Sequence, residues 1–129
     1  MSIKYRLIEK GQPGVAGGGV KKWYANIVTD GEVSIDELVK DIEKFSALSE
    51  ADIRGVIFAL ENVMQNALAN GKIVRLDKIG SLYPSISSEG TDTPEEFIAQ
   101  KHVRAIKANY RPGKRLSDSM KAAVLQRVK

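Results

Sequence analysis

From Lys101 to the last residue the chain carries nine cations, Lys101, Arg104, Lys107, Arg111, Lys114, Arg115, Lys121, Arg127 and Lys129, against one carboxylate, Asp118. Ammonium and guanidinium groups at that density suit the phosphates of a polyanion, whose condensed counterions they displace. Residues 31–70 are the converse, with eight carboxylates against Lys40, Lys44 and Arg54. A formal net charge of +4 therefore hides a local +8 and a local −5. Such segregation is the electrostatic footprint of a nucleic-acid binder, and also what a solvated surface with uneven charge looks like.

Other chemistries find little to work with. There is no cysteine, which excludes a disulfide framework and a thiolate metal site. His102 is the single histidine, expected at the surface where a strand begins, so no multi-histidine metal site can form without other ligands. Glu95 and Glu96 are adjacent and would not face each other on a helix; they suit the positive end of a helix dipole better than a paired acid and base. Gly14 and Gly19 have the spacing of a nucleotide-binding phosphate loop, but Val20 stands where its lysine must be. The glycines read as a flexible hairpin connection. Trp23, Tyr24 and Tyr83 are able to stack on bases, although strand packing is the commoner use of such residues. No enzyme activity, cofactor or metal is expected. No run approaches the ~18 apolar residues of a membrane span, and the first residues lack the apolar stretch of a signal peptide, so a cytoplasmic protein is expected.

The elements that must position the cations follow from periodicity. Ile3, Tyr5 and Leu7 alternate with Lys4 and Arg6, the period of a half-buried strand, and residues 23–28 form a second candidate. Ser34 to Glu37 is a capping box, followed by Ile35, Leu38, Val39, Ile42 and Phe45 on one helical face. Ser49 caps a longer helix with acids in its first turn and apolar residues from Ile53 to Leu68; Asn70-Gly71 stops it. A short helix, a turn and a long helix also suggest a helix-turn-helix reader, but Glu50 and Asp52 would meet phosphates where a recognition helix begins. Strands are expected over 72–76, 81–86 and 102–110, a helix start at Thr93-Pro94-Glu95-Glu96, and a basic helix after Pro112-Gly113. The end of the chain, 124–128, fits fraying, a longer helix or a strand. With 129 residues and 43% hydrophobic content one domain is expected overall, 1–33 being a strand-rich extension of 34–129.

Three stretches, Leu68-Ala69-Asn70-Gly71-Lys72, Lys78-Ile79-Gly80-Ser81-Leu82 and Tyr110-Arg111-Pro112-Gly113-Lys114-Arg115-Leu116, stand in this order of elements. In residue type and order the chain from about Ser34 to about Ala123 resembles the bacterial HU and integration host factor family of histone-like proteins, in particular an HU-related subgroup with extra N-terminal strands. The resemblance implies an α+β, HU/IHF-like intertwined homodimer: two N-terminal helices, a small antiparallel sheet with a shortened β-arm, and a C-terminal helix. It implies double-stranded DNA as partner, bound in the nucleoid with little sequence specificity. Lys78, Arg104, Lys107, Arg111, Lys114, Arg115 and Lys121 would meet phosphates, and Ile53, Ile57, Leu60, Met64 and Leu68 would form the dimer interface. The family's arm-tip motif, Arg-Asn-Pro followed by Thr-Gly, is missing, and Glu89, Asp92, Glu95 and Glu96 stand where the arm should be basic. No intercalating residue is therefore carried over. The alternative is a protein-interaction module on the same dimeric scaffold, holding a partner through residues 1–30 and no longer bending DNA.

Overall fold

The computed structural model describes residues 2–129. Four helices and two three-stranded sheets make up the described residues, and the chain divides into two compact units. No described helix is long and apolar enough to cross a membrane.

The first unit comprises Met1–Leu38 and Ser119–Lys129. Strand β1 (Ser2–Lys10) pairs antiparallel with β2 (Lys22–Val28), in a register running from Lys4 opposite Val28 to Lys10 opposite Lys22. The connection is built on glycine. The Gln12 N–H reaches the Gly18 carbonyl at 2.6 Å, and a β-carbon on Gly11 would meet that same carbonyl. Gly17, Gly18 and Gly19 all have positive φ, a region that L side chains enter only at a cost. The glycines thus close a turn. The sequence left 124–128 open; here residues Val124–Arg127 form β6, parallel to β1 from Ser2–Val124 to Tyr5–Arg127. The Val128 N–H continues the ladder to the Tyr5 carbonyl at 2.8 Å. What decides this is the free edge of β1, a partner far off in sequence that no local pattern announces.

Helix α1 (Ile35–Lys44) opens with Ser34 Oγ accepting the Glu37 N–H at 3.2 Å, as its capping box predicts.

The second unit is Val39–Asp118. Helix α2 (Glu50–Ala69) starts at Ser49, whose Oγ accepts the Asp52 N–H at 3.2 Å. It ends at Asn70-Gly71, with Gly71 at φ 80° and the Lys72 N–H on the Ala67 carbonyl at 3.0 Å. Strands β3 (Val74–Arg75), β4 (Gly80–Ser88) and β5 (Val103–Pro112) form an antiparallel sheet in that order, and α2 packs against β3 and β4. Val39 and Ile53 are the two buried apolar side chains among the described residues, Val39 completely so.

Between β4 and β5 the expected helix start gives only one 3-10 turn, Pro94–Glu96. Thr93 makes no capping bond, Phe97 and Ile98 are extended, and helix α3 is the four residues Ala99–His102. A nucleus this short gains too few hydrogen bonds to propagate. Helix α4 (Lys114–Lys121) follows Gly113.

Candidate functional site

The register of β3–β4–β5 sorts its side chains onto two faces, because successive residues of a strand point to opposite sides. Val74, Leu82, Pro84, Ile86, Ile106, Ala108 and Tyr110 share one face, which is apolar. Arg75, Ser81, Tyr83, Ser85, Ser87, Ala105, Lys107, Asn109 and Arg111 share the other. This polar face holds three cations and no carboxylate.

The polar face is also internally ordered. The Arg111 guanidinium lies 5.3 Å from the Tyr83 ring centroid, where the ring's negative face attracts it. Arg75 Nη1 donates to Ser81 Oγ at 3.4 Å, and Asn109 Nδ2 donates to Ser85 Oγ. Arg75, Ser81, Tyr83 and Arg111 line an open hollow of about 320 Å³. Two guanidiniums beside a hydroxyl can bind a phosphate through several charge-assisted hydrogen bonds.

The end of this face is fixed by backbone contacts. The Gly113 N–H donates to the Ile79 carbonyl at 3.0 Å, and Tyr110 Oη donates to the same oxygen at 2.5 Å. A β-carbon on Gly113 would meet the Lys78 carbonyl oxygen, and one on Gly80 would meet that of Arg111. The Ile-Gly-Ser and Arg-Pro-Gly-Lys stretches are thus locked against each other through two glycines.

The predicted cations meet different fates. Lys107 and Arg111 lie on the polar face. Lys78 sits exposed in the β3–β4 turn, next to it in sequence. Arg104 falls where the register shifts between Ser87 and Ser88, and lies 3.9 Å from Glu89. Lys114 donates to Asp118 at 2.6 Å within α4. Arg115 is exposed on α4, and Lys121 closes that helix in the other unit. Arg75 was missed by sequence reasoning. Its strand position was legible, but only the register, which sets it opposite Ser81, puts it on one face with Arg111.

His102 is half-buried and turned inward to local structure. Its Nδ1 accepts the Ile98 N–H at 2.9 Å, and its ring lies 5.4 Å from that of Phe97. Among the described residues no cluster of His, Cys, Asp and Glu could hold a metal ion.

The α2 stripe divides. Ile53, Ile57, Met64 and Leu68 fall within about 60° of helix circumference, and each is buried or half-buried in the chain itself. Leu60 adjoins that arc together with Val56 and Val63; these three are exposed, Val63 at 66%. The apolar face is therefore wider than the part this chain covers.

A family model described as "HU domain fused to wHTH, Ig, or Glycine-rich motif" matches residues 1–127. No curated protein matches the sequence. Among solved structures, the chain is similar to a protein of Bacteroides vulgatus ATCC 8482 provisionally described as a bacterial DNA binding protein. The TM-score is 0.69 at 14% identity, over 98% of this chain and 48% of the other, so this chain spans about half the length of that relative. At such identity the likeness is one of fold.

Proposed function

Because this chain belongs to the family of HU domains fused to wHTH, Ig or glycine-rich motifs, we propose that it is a dimeric, histone-like protein that binds duplex DNA through the polar face of β3–β4–β5. The observation that carries this reading is the face itself: Arg75, Lys107 and Arg111 among hydroxyls and amides, with no carboxylate. Cations on a rigid sheet contact phosphates, which supply affinity and salt dependence with little base selectivity. A nucleoid location follows from that partner. The Bacteroides relative's description as a DNA binding protein points the same way.

The dimer is supported by exposed apolar side chains: Leu38, Ile42, Val56, Leu60 and Val63 all stand open to solvent in the single chain. Covering the exposed part of each against a second copy gains roughly half of the ~1.5–3 kcal/mol that complete burial of such a side chain supplies. In this reading the seam runs along Val56, Leu60 and Val63 beside the stripe of Ile57, Met64 and Leu68, while Ile53 serves its own chain. Wedge-driven bending is not part of the proposal: Pro84 pairs with Ala108 inside the sheet, and Pro94 opens a turn with Glu95 and Glu96.

The test is duplex affinity against salt concentration. A steep negative slope of log affinity on log salt is expected, falling by about 0.9 for each phosphate contact removed. Arg111→Ala should lower both slope and affinity on every duplex tried. Lys114→Ala should do less, because Lys114 is already engaged by Asp118. No duplex binding at low salt would sink the proposal.

A second reading has its own observation. On the β2–β1–β6 sheet, Ile3, Tyr5, Ala25, Ile27 and Leu125 line an apolar hollow, and Ile27 and Leu125 are more than half exposed. In this reading the face holds a protein partner. Ile27→Asp should then abolish capture of that partner and leave duplex affinity unchanged; a variant that keeps all its partners speaks against it.

A further inference from the structure

The N-terminal sheet has a second face, and its composition matches that of the proposed DNA surface. From the β1–β2 register, Lys4, Arg6, Ile8 and Lys10 lie on one side with Lys22, Tyr24, Asn26 and Val28. Gln126 of β6 joins them opposite Lys4. All four cations of β1 and β2 are here, and the one carboxylate of these strands, Glu9, lies on the other side opposite Trp23. As Tyr83 does for Arg111, a tyrosine supports a cation: Lys10 Nζ is 5.0 Å from the Tyr24 ring centroid. As on the polar face of β3–β4–β5, the remaining polar residues are uncharged hydrogen-bonding groups.

Left to itself this face is electrostatically unfavourable. Lys10 is directly opposite Lys22, and like charges paired across strands destabilise a sheet. Among the described residues the one carboxylate in an ion pair with this face is Asp30, 3.9 Å from Lys4 and itself exposed. Among the described residues Arg6, Lys10 and Lys22 have no ion-pair partner. A polyanion laid across the face would relieve that repulsion and lose its own counterions in doing so.

We infer that the Lys4–Arg6–Lys10–Lys22 face of the N-terminal sheet is a second DNA-backbone contact, separate from the polar face of β3–β4–β5. Duplex DNA is favoured as its ligand because the face repeats the same combination of cations, tyrosine and amides. The inference takes its ligand from the proposed function and rests on it in that respect. It gives the N-terminal strands a function in affinity.

Three forms of the full chain test this by fluorescence anisotropy on one labelled duplex over a salt series. They are the parent, Arg6→Gln/Lys10→Gln/Lys22→Gln, and Lys107→Gln/Arg111→Gln. A conservative variant, Arg6→Lys/Lys10→Arg/Lys22→Arg, controls for folding. The triple glutamine variant is expected to lose two to three units of salt slope, at about 0.9 per contact. At 0.1 M salt this corresponds to weaker binding by about 10²- to 10³-fold. The conservative variant should bind like the parent. A triple glutamine variant with the parent's slope, while Lys107→Gln/Arg111→Gln loses its own, overturns the inference and leaves the proposed function standing. Loss of slope in the triple variant alone supports the second surface and counts against the first. Conservative substitutions that weaken binding as much as glutamine would reveal a folding effect and overturn it too. So would a triple variant that keeps duplex affinity but loses binding to phosphatidylserine–phosphatidylcholine vesicles, since the face would then belong to a membrane surface.

Discussion

Leu60→Glu combined with Val63→Glu is expected to convert the proposed dimer to a poorly folded species of half its mass. In the single chain both side chains are exposed, Leu60 at 42% and Val63 at 66%. Exposed positions of a monomer tolerate such changes within about ±0.5 kcal/mol. Should the stripe instead be buried against its copy, each protomer places two carboxylates in an apolar seam, and by two-fold symmetry they meet their own kind. Burying unpaired charge costs several kcal/mol per group, enough to exceed the whole stability of a small domain. Sedimentation equilibrium gives the mass, and thermal unfolding at several concentrations gives the linkage, because a dimer's midpoint rises with concentration. A double variant with the parent's mass and melting behaviour would rule out this seam. Duplex affinity should collapse as well, since a dimer doubles the number of phosphate contacts.

The second large effect is expected at Gly80. This residue is buried at φ 134°, a region essentially confined to glycine. A β-carbon there would meet the Arg111 carbonyl oxygen and come within 2.9 Å of the Gly113 nitrogen and the Tyr110 ring. Gly80→Ala should therefore destabilise by about 3 kcal/mol or more, combining ~1–3 kcal/mol of backbone strain with displacement of the facing strand. The melting temperature should fall by about 10 °C or more. Gly71→Ala is the control: its φ is 80° but nothing lies within 4 Å of the added carbon, so only ~1–2 kcal/mol of left-handed strain is expected. Because β5 would shift at Arg111, Gly80→Ala should also weaken duplex binding in whatever fraction stays folded. A Gly80→Ala protein that melts no lower than Gly71→Ala would refute the account of this close approach.

Much of this was legible in the residues themselves. Capping serines at 34 and 49, the Asn70-Gly71 stop and the alternation in β1 and β5 are local signals. Each concerns hydrogen bonds or side-chain directions within a few positions, and the structure places helices and strands where they indicate. The three stretches that carried the family resemblance sit in elements of the predicted kind, and the family match bears out that membership. The segment 93–102 was misjudged because a capping-type sequence fixes where a helix begins but not whether enough residues follow to propagate it.

Three things depended on contacts between distant residues. The end of the chain became a strand because β1 offers it an unpaired edge. Arg75 joined Lys107 and Arg111 because register, not sequence separation, decides which cations share a face. Gly80 and Gly113 matter because two backbones meet there, and no single segment records that approach. The amino-acid order determined where each element starts, which way its side chains alternate and how much charge it carries. Only the folded chain decided which charges stand together, because pairing between strands is set by long-range hydrogen bonding and packing rather than by the neighbours of each residue.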